Sequence, residues 1–142
     1  MAKSSSVNVV RSMEAAYNRN DQGGFLDRLS ESVEGHDPSV PEPLRGRAAV
    51  GAWFAKARTI FPDLRMEPVR TTAEGERVAV EYIETGTQKG PIPGPAGHPI
   101  GPTNRTFRHQ LCIVYRVERE KIVEFRLYWD VLGVMAQLGL GG

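Results

Sequence analysis

Apolar residues change their spacing at Pro62, and that change constrains the fold more than any other feature. Before it, they recur at helical intervals. Val50, Trp53, Phe54, Ala57 and Phe61 stand at offsets of 3, 4, 7 and 11 from Val50, which lays them along one helix face. Pro62 ends that stripe, because the residue before a proline is pushed out of the helical region. Val9, Val10, Met13, Ala16 and Tyr17 form an earlier stripe, with Ser5 or Ser6 as its cap. Asn18-Arg19-Asn20-Asp21 stops it, and Phe25, Leu26 and Leu29 mark a shorter helix. Beyond Pro62 the period falls towards two. Residues 64–74 and 77–85 read as strands joined by a tight turn at Glu74-Gly75-Glu76, and Pro68 predicts an edge or a bulge in the first. Residues 86–104 hold five glycines and five prolines and read as loop. Residues 106–118 and 121–130 form the clearest hairpin, and Val131, Leu132, Met135 and Leu138 close the chain with a short helix that the final glycines let stop. Helices first and strands after predict one α+β domain over residues 1–142, with helices packed on one face of an antiparallel sheet.

Composition narrows the function classes. A chain of 142 residues is long enough for a core without staples. Eighteen basic against 17 acidic residues leave a net charge of +1, so no global field draws nucleic acid or an anionic membrane. The single cysteine, Cys112, excludes an intramolecular disulfide and a multi-cysteine zinc site. Its place in the hairpin reads as that of a small hydrophobe. Three histidines without metal-ligand spacing argue against a metal centre. No apolar run approaches the roughly 18 residues of a membrane span. The opening Met-Ala-Lys-Ser-Ser-Ser has no apolar stretch after its lysine and does not read as a signal peptide. The expectation is a soluble protein of the cytoplasm.

The hairpin's register decides which side chains share a face. With Arg119 and Glu120 as the two central turn residues, Val117 opposes Ile122, Tyr115 opposes Glu124, Ile113 opposes Arg126, Leu111 opposes Tyr128 and His109 opposes Asp130. The other face then pairs Val114 with Phe125, Cys112 with Leu127 and Gln110 with Trp129. One face is mostly apolar and the other mixes aliphatic residues with tyrosines, Glu, Arg, His and Asp. Two accounts of the mixed face compete. It is either solvent-exposed, or the lining of a pocket that holds a His109–Asp130 pair. Arg-Glu is a poor two-residue turn beside Asn-Gly or Asp-Gly, and a slip of one residue would put His109 and Asp130 on opposite faces.

Four segments resemble the SnoaL-like polyketide cyclase (ester cyclase) family, of the nuclear transport factor 2-like fold. They are His36-Asp37-Pro38, Phe61-Pro62-Asp63-Leu64, Gly101-Pro102-Thr103-Asn104, and Lys121-Ile122-Val123-Glu124 running on to Trp129-Asp130-Val131-Leu132-Gly133, with Gln137-Leu138-Gly139 as the ending. The resemblance implies a cone, in which a strongly curved antiparallel sheet wraps against N-terminal helices around a largely apolar cavity, often in a homodimer. It favours the pocket account. In the family's cyclases an aspartate at the position of Asp130 acts as acid/base in an intramolecular aldol condensation, and His36 matches a histidine near the cavity. His109 enters as a candidate on the register alone. Three departures stand out. Gly101-Pro102-Thr103-Asn104 stands for the usual Pro-Pro-Thr-Gly, Arg119-Glu120-Lys121 replaces the common Asp-Gly-Lys, and Phe125-Arg126 stands where a histidine and a tryptophan are common.

The chemistry implied is proton abstraction from carbon beside a carbonyl, which needs a base and a group to hold the enolate oxygen. The candidate catalytic residues are Asp130, His109 and His36. Arg126, Tyr128, Tyr115, Glu124, Trp53 and Leu111 are the candidates for contacting substrate, although Trp53 also fits a core position on its helical stripe. No cofactor or metal is expected, and the partner is a small apolar carbonyl compound. Hydrolysis of an epoxide or lactone, or cofactor-free hydroxylation, is the rival enzyme reading. A non-catalytic dimer that binds a small ligand is the rival outside catalysis. The apolar face with Val114, Phe125, Leu127 and Trp129 is the expected dimer surface.

Overall fold

The computed structural model describes residues 2–140. Its elements are α1 (Ala2–Asn18), α2 (Gln22–Asp27), β1 (Leu29–His36), β2 (Leu44–Arg45), α3 (Gly46–Ile60), β3 (Arg65–Glu74), β4 (Arg77–Thr87), β5 (Thr106–Glu118), β6 (Lys121–Trp129) and α4 (Val131–Gln137). The six strands form one sheet in the order β2-β1-β6-β5-β4-β3. All neighbours pair antiparallel except β1 and β6, which run parallel. Helices α1, α2 and α3 lie against one face, and the space between them and the curved sheet is both the core and the cavity.

The two helical stripes become α1 and α3. Val9, Val10, Met13, Ala16 and Tyr17 are all buried, and so are Val50 and Phe54. The serines expected to cap α1 lie inside it, where the Ser6 hydroxyl donates to the Gly75 carbonyl at 3.4 Å. Helix α3 ends at Ile60, just ahead of Phe61-Pro62. Pro68 sits on the edge strand β3, whose register shifts between Pro68 and Arg70, so it marks both an edge and a bulge.

The first half is less helical than its pattern suggests, because Leu29 opens β1 rather than closing α2. In β1 only Leu29, Val33 and Gly35 are buried, and Ser30, Glu31, Ser32, Glu34 and His36 conceal the strand in the sequence. Gly35 has a packing role. The Phe125 ring of β6 lies across it so closely that a Cβ would stand 2.3 Å from a ring carbon.

The last hairpin turns at Arg119-Glu120 as expected, but its register holds only for the first two pairs, Glu118 with Lys121 and Val117 with Ile122. Val123 is then left unpaired in a bulge, and Arg116 opposes Glu124, Tyr115 opposes Phe125, Ile113 opposes Leu127 and Leu111 opposes Trp129. Because side chains alternate, the extra residue exchanges the faces of the rest of β6. Phe125, Leu127 and Trp129 point inward with Tyr115, Ile113 and Leu111. Glu124, Arg126 and Tyr128 go to the convex outer face, where Tyr128 is 57% exposed. The expected pairing of His109 with Asp130 does not form. The expected dimer face also loses three of its four apolar residues to the interior.

Candidate functional site

A cavity of about 410 Å³ opens between the sheet and the helices. Its walls are mostly apolar, from Met13 and Phe25 on α1 and α2, Ala57 and Ile60 on α3, Ile113, Phe125 and Leu127 on the sheet, and Val134 and Met135 on α4. Ile92 and Pro93 of the Gly/Pro loop close one side. The ionisable side chains on its lining are Tyr17, Asp37, Lys56, Glu84 and Tyr115.

Glu84 and His109 face each other across the β4–β5 ladder. Their strands place both side chains inward, and His109 Nε2 lies 2.8 Å from Glu84 Oε1. The pair is nearly dry, with His109 7% and Glu84 15% exposed. Phe107 and Trp129 meet the imidazole edge-on, each with ring centroids 5.4 Å away, and fix its plane. With Nε2–H donating to Glu84, Nδ1 is left as a buried acceptor without a partner among the described residues. A carboxylate that reaches an apolar cavity and is backed by a titratable imidazole can accept a proton and return it.

Asp37 follows β1 and also reaches the cavity. Trp53 Nε1–H donates to its Oδ2 and Trp129 Nε1–H to its Oδ1, both at 2.9 Å. One carboxylate thus holds two indoles, one from α3 and one from β6, and sets two walls at once. Trp53 is therefore both packed and lining, with its ring 5.6 Å from that of Phe125.

Below the cavity floor the Tyr82 hydroxyl donates to Glu14 Oε2 at 2.5 Å and lies 2.7 Å from the Tyr115 hydroxyl. Burial raises the Glu14 carboxyl above its ordinary value, and burial raises both phenols far above theirs. These groups favour their neutral forms because burial disfavours the charged ones.

Of the residues singled out in the sequence, Tyr115 and Trp53 line the cavity, and His109 stands behind its wall, bonded to the lining Glu84. Leu111 is buried beside it without lining it. Asp130 is exposed and caps α4, accepting the Gly133 N–H on Oδ1 at 2.9 Å, while its neighbours Trp129 and Val131 line the cavity. His36, Glu124, Arg126 and Tyr128 lie on the convex face. There His36 Nε2 is 2.8 Å from Glu34 Oε1, whose carboxyl is lowered chiefly by that hydrogen bond. Glu34, His36 and Glu124 offer three metal-type ligand atoms within 4.8 Å of one another, but Arg45 and Arg126 already pair with the two carboxylates. Sequence reading overlooked Glu84 and Asp37. Glu84 carried a weak signal, as a charge inside an otherwise apolar strand run, and Asp37 stood within a quoted family segment.

The model of the SnoaL-like polyketide cyclase family matches residues 7–138. Among solved structures, the chain is similar to a protein from Xanthomonas campestris pv. campestris proposed to be a polyketide cyclase. The identity is 21% and the TM-score 0.85, covering 97% of this chain and 99% of that one. AclR from Streptomyces galilaeus, proposed to be a hydroxylase, is 23% identical with a TM-score of 0.80, over 96% of this chain and 97% of its own. An NTF2-like protein from Burkholderia xenovorans LB400 is 28% identical with a TM-score of 0.75, over 97% and 98%. No functionally curated protein matches. The fold is therefore the expected nuclear transport factor 2-like cone.

Proposed function

The chain belongs to the SnoaL-like polyketide cyclase family, and on that premise we propose that it is a cofactor-independent acid–base enzyme acting on a polyketide-like or terpenoid-like carbonyl compound. Membership of a cyclase family supports a cyclase or isomerase type of reaction. The observation that carries the finer reading is the Glu84–His109 pair, with Glu84 on the lining of a mostly apolar cavity and His109 hydrogen-bonded behind it.

Glu84 takes a proton from the carbon beside a carbonyl, and the electron pair left behind moves onto the carbonyl oxygen as an enolate. The enolate carbon attacks a second carbonyl of the same molecule, and Glu84 returns its proton to the new alkoxide. His109 keeps one Glu84 oxygen in place through Nε2, which leaves the other for the substrate. Asp37 acts as a positioning residue, since its two indole hydrogen bonds fix the walls that hold the substrate folded. The apolar lining keeps water from competing for the enolate. Arg126 pairs with Glu124 on the convex face and does not line the cavity. The protein is further proposed to work in the cytoplasm as a homodimer through the convex face, where Tyr128 stands exposed beside Cys112.

Turnover on a panel of β-dicarbonyl polyketide mimics tests the base. Glu84→Gln keeps the hydrogen bond to His109 and is expected to lower turnover by about 100-fold or more. Asp130→Asn preserves the helix cap, because Asn caps as well as Asp, and is expected to leave turnover near that of the parent. The opposite pattern returns the acid/base role to Asp130. Tight binding across the panel with no turnover by the parent identifies a ligand-binding module instead.

A further inference from the structure

Lys56 is the one basic side chain among the described residues that line the cavity. It stands on α3, one helical turn before Ile60, and both residues also line a second hollow of about 430 Å³. Ile92 and Pro93 of the Gly/Pro loop are shared in the same way. Cavity and groove therefore meet along one seam, with the end of α3 on one side and the loop on the other. The seam is tied by the backbone, because the Lys89 and Gly90 N–H groups both donate to the Ile60 carbonyl, at 2.8 and 3.1 Å. Thr59, Pro91, Gly94, Gly97 and Pro99 complete the groove and bring no charge to it.

Charge is unevenly placed along this route. Glu84 is set into the cavity wall at 15% exposure, and half-buried Asp37 accepts the two indole N–H groups there. Lys56 is exposed and stands where the cavity opens onto the groove. The acidic groups are thus inside and the basic one is at the mouth. An apolar molecule with one anionic group has a single favourable way into such a site. With the anion inward it meets Glu84 and Asp37 in surroundings of low dielectric, where like charges repel strongly. With the anion outward it keeps its contact with water and meets an ammonium that offers three donors.

We propose that Lys56 is a specificity-determining residue that binds a carboxylate of the substrate at this seam. This rests on the acid–base reading above and adds to it the class of substrate, an apolar carbonyl compound with a free acid group rather than an ester. The carbonyl part fills the cavity beside Glu84, and the groove gives room to the arm that carries the acid. Lys56 takes no part in the proton transfer. It decides which end of the molecule enters first, and so which carbon comes to Glu84.

A matched pair of fluorescent ligands tests this without the natural substrate. 1-Pyrenebutanoate and its methyl ester share a polycyclic apolar head and the same arm, and differ in the charge at its end. Lys56→Met removes the ammonium and keeps the length of the side chain. It is expected to weaken binding of the acid by about 3–10-fold, as for loss of a half-exposed ion pair, and to change binding of the ester by less than about twofold. Lys56→Arg should restore the acid to within about twofold of the parent. Raising the salt from about 0.05 to about 0.5 M should weaken the acid in the parent and change it less in Lys56→Met. The melting temperature should hold, because the site is exposed and methionine is a good helix former. Equal weakening of both ligands by Lys56→Met, or of neither, overturns the role of Lys56 and leaves the cavity and its proposed base standing. Failure of the parent to bind either ligand overturns the cavity reading and this inference with it.

Discussion

Glu14 is a charged residue type at 4% exposure, bonded to Tyr82 and packed beneath a cavity that the proposed reaction keeps dry. Burial disfavours its ionised form and outweighs both the Tyr82 hydrogen bond and the field of Arg11. Its carboxyl is therefore raised in the folded protein above the ordinary 4.5. The sign of the linkage follows. Between 4.5 and the raised value the folded chain binds more protons than the unfolded one, so stability falls as pH rises through that window and stays lower above it. Chemical denaturation from pH 4 upwards is expected to show this fall in the parent and a flatter profile in Glu14→Gln. Identical slopes in the two proteins would assign the pH dependence to other groups. Glu14 contrasts with Asp130, where a carboxyl expected to do chemistry instead serves as a helix cap in water. Identity alone does not separate such roles, because solvent exposure and the partner on each oxygen decide them.

Strand β6 shows how one element carries the site. Its bulge at Val123 turns Phe125, Leu127 and Trp129 inward, and Trp129 in turn contacts His109 and holds Asp37. A straight continuation from the turn would have presented Glu124, Arg126 and Tyr128 to the cavity. The turn itself is strained, since Arg119 and Glu120 take φ values of 52° and 63°. Both lie in the left-handed region, which side chains with a Cβ enter at a cost and which Asn-Gly occupies readily. Replacing the pair by Asn-Gly (Arg119→Asn with Glu120→Gly) is expected to raise the unfolding free energy by about 1–2 kcal/mol, within the range of relieved backbone strain. The urea midpoint would rise with an unchanged slope. A lower midpoint would mean that contacts of the two replaced side chains outweigh the strain.

The whole molecule closes its cavity with the Gly/Pro loop, and the loop is not uniformly loose. Gln88 is fully buried at its base, where its amide donates to the carbonyls of Gly90 and Gly101 and accepts from the Thr103 N–H and hydroxyl. Further out, Ile92 and Ile100 exchange two backbone hydrogen bonds, at 2.9 and 2.7 Å. Five glycines and five prolines mark residues 86–104 as loop, and such a composition by itself predicts mobility throughout. The side-chain clamp limits that to the tip. Amide exchange should be slow at Gln88, Ile92, Ile100 and Asn104 and fast over residues 93–99, and Gln88→Ala should make the whole segment fast. Uniformly fast exchange in the parent would show that the clamp does not hold in solution. A tip that moves on a fixed base is a route for substrate past Ile92 and Pro93 into the cavity.

Local patterns in the sequence were sufficient for the α+β class, for α1, α3 and α4, for the four strands of the two hairpins, and for the position of both turns. These follow from side-chain periodicity, from proline and from glycine, which act within a few residues of themselves. The family segments were sufficient for the cone. The parallel strand β1 was concealed, because its apolar content is two residues and a glycine, and it becomes a strand by pairing with β6 some ninety positions later. The site was only partly legible. His109, Tyr115 and Trp53 were named, whereas Glu84 and Asp37 were not, and Asp130, His36, Arg126, Glu124 and Tyr128 were placed on the wrong side of the sheet or beyond the cavity lining. One unpaired residue, Val123, accounts for Glu124, Arg126 and Tyr128. A bulge costs little locally and leaves no clear mark in composition. It is selected because it puts three large apolar side chains into the interior and three polar or amphipathic ones into water. That comparison of burial exists only once the helices stand against the sheet, so the tertiary structure, and not the hairpin sequence, decided which residues face the cavity.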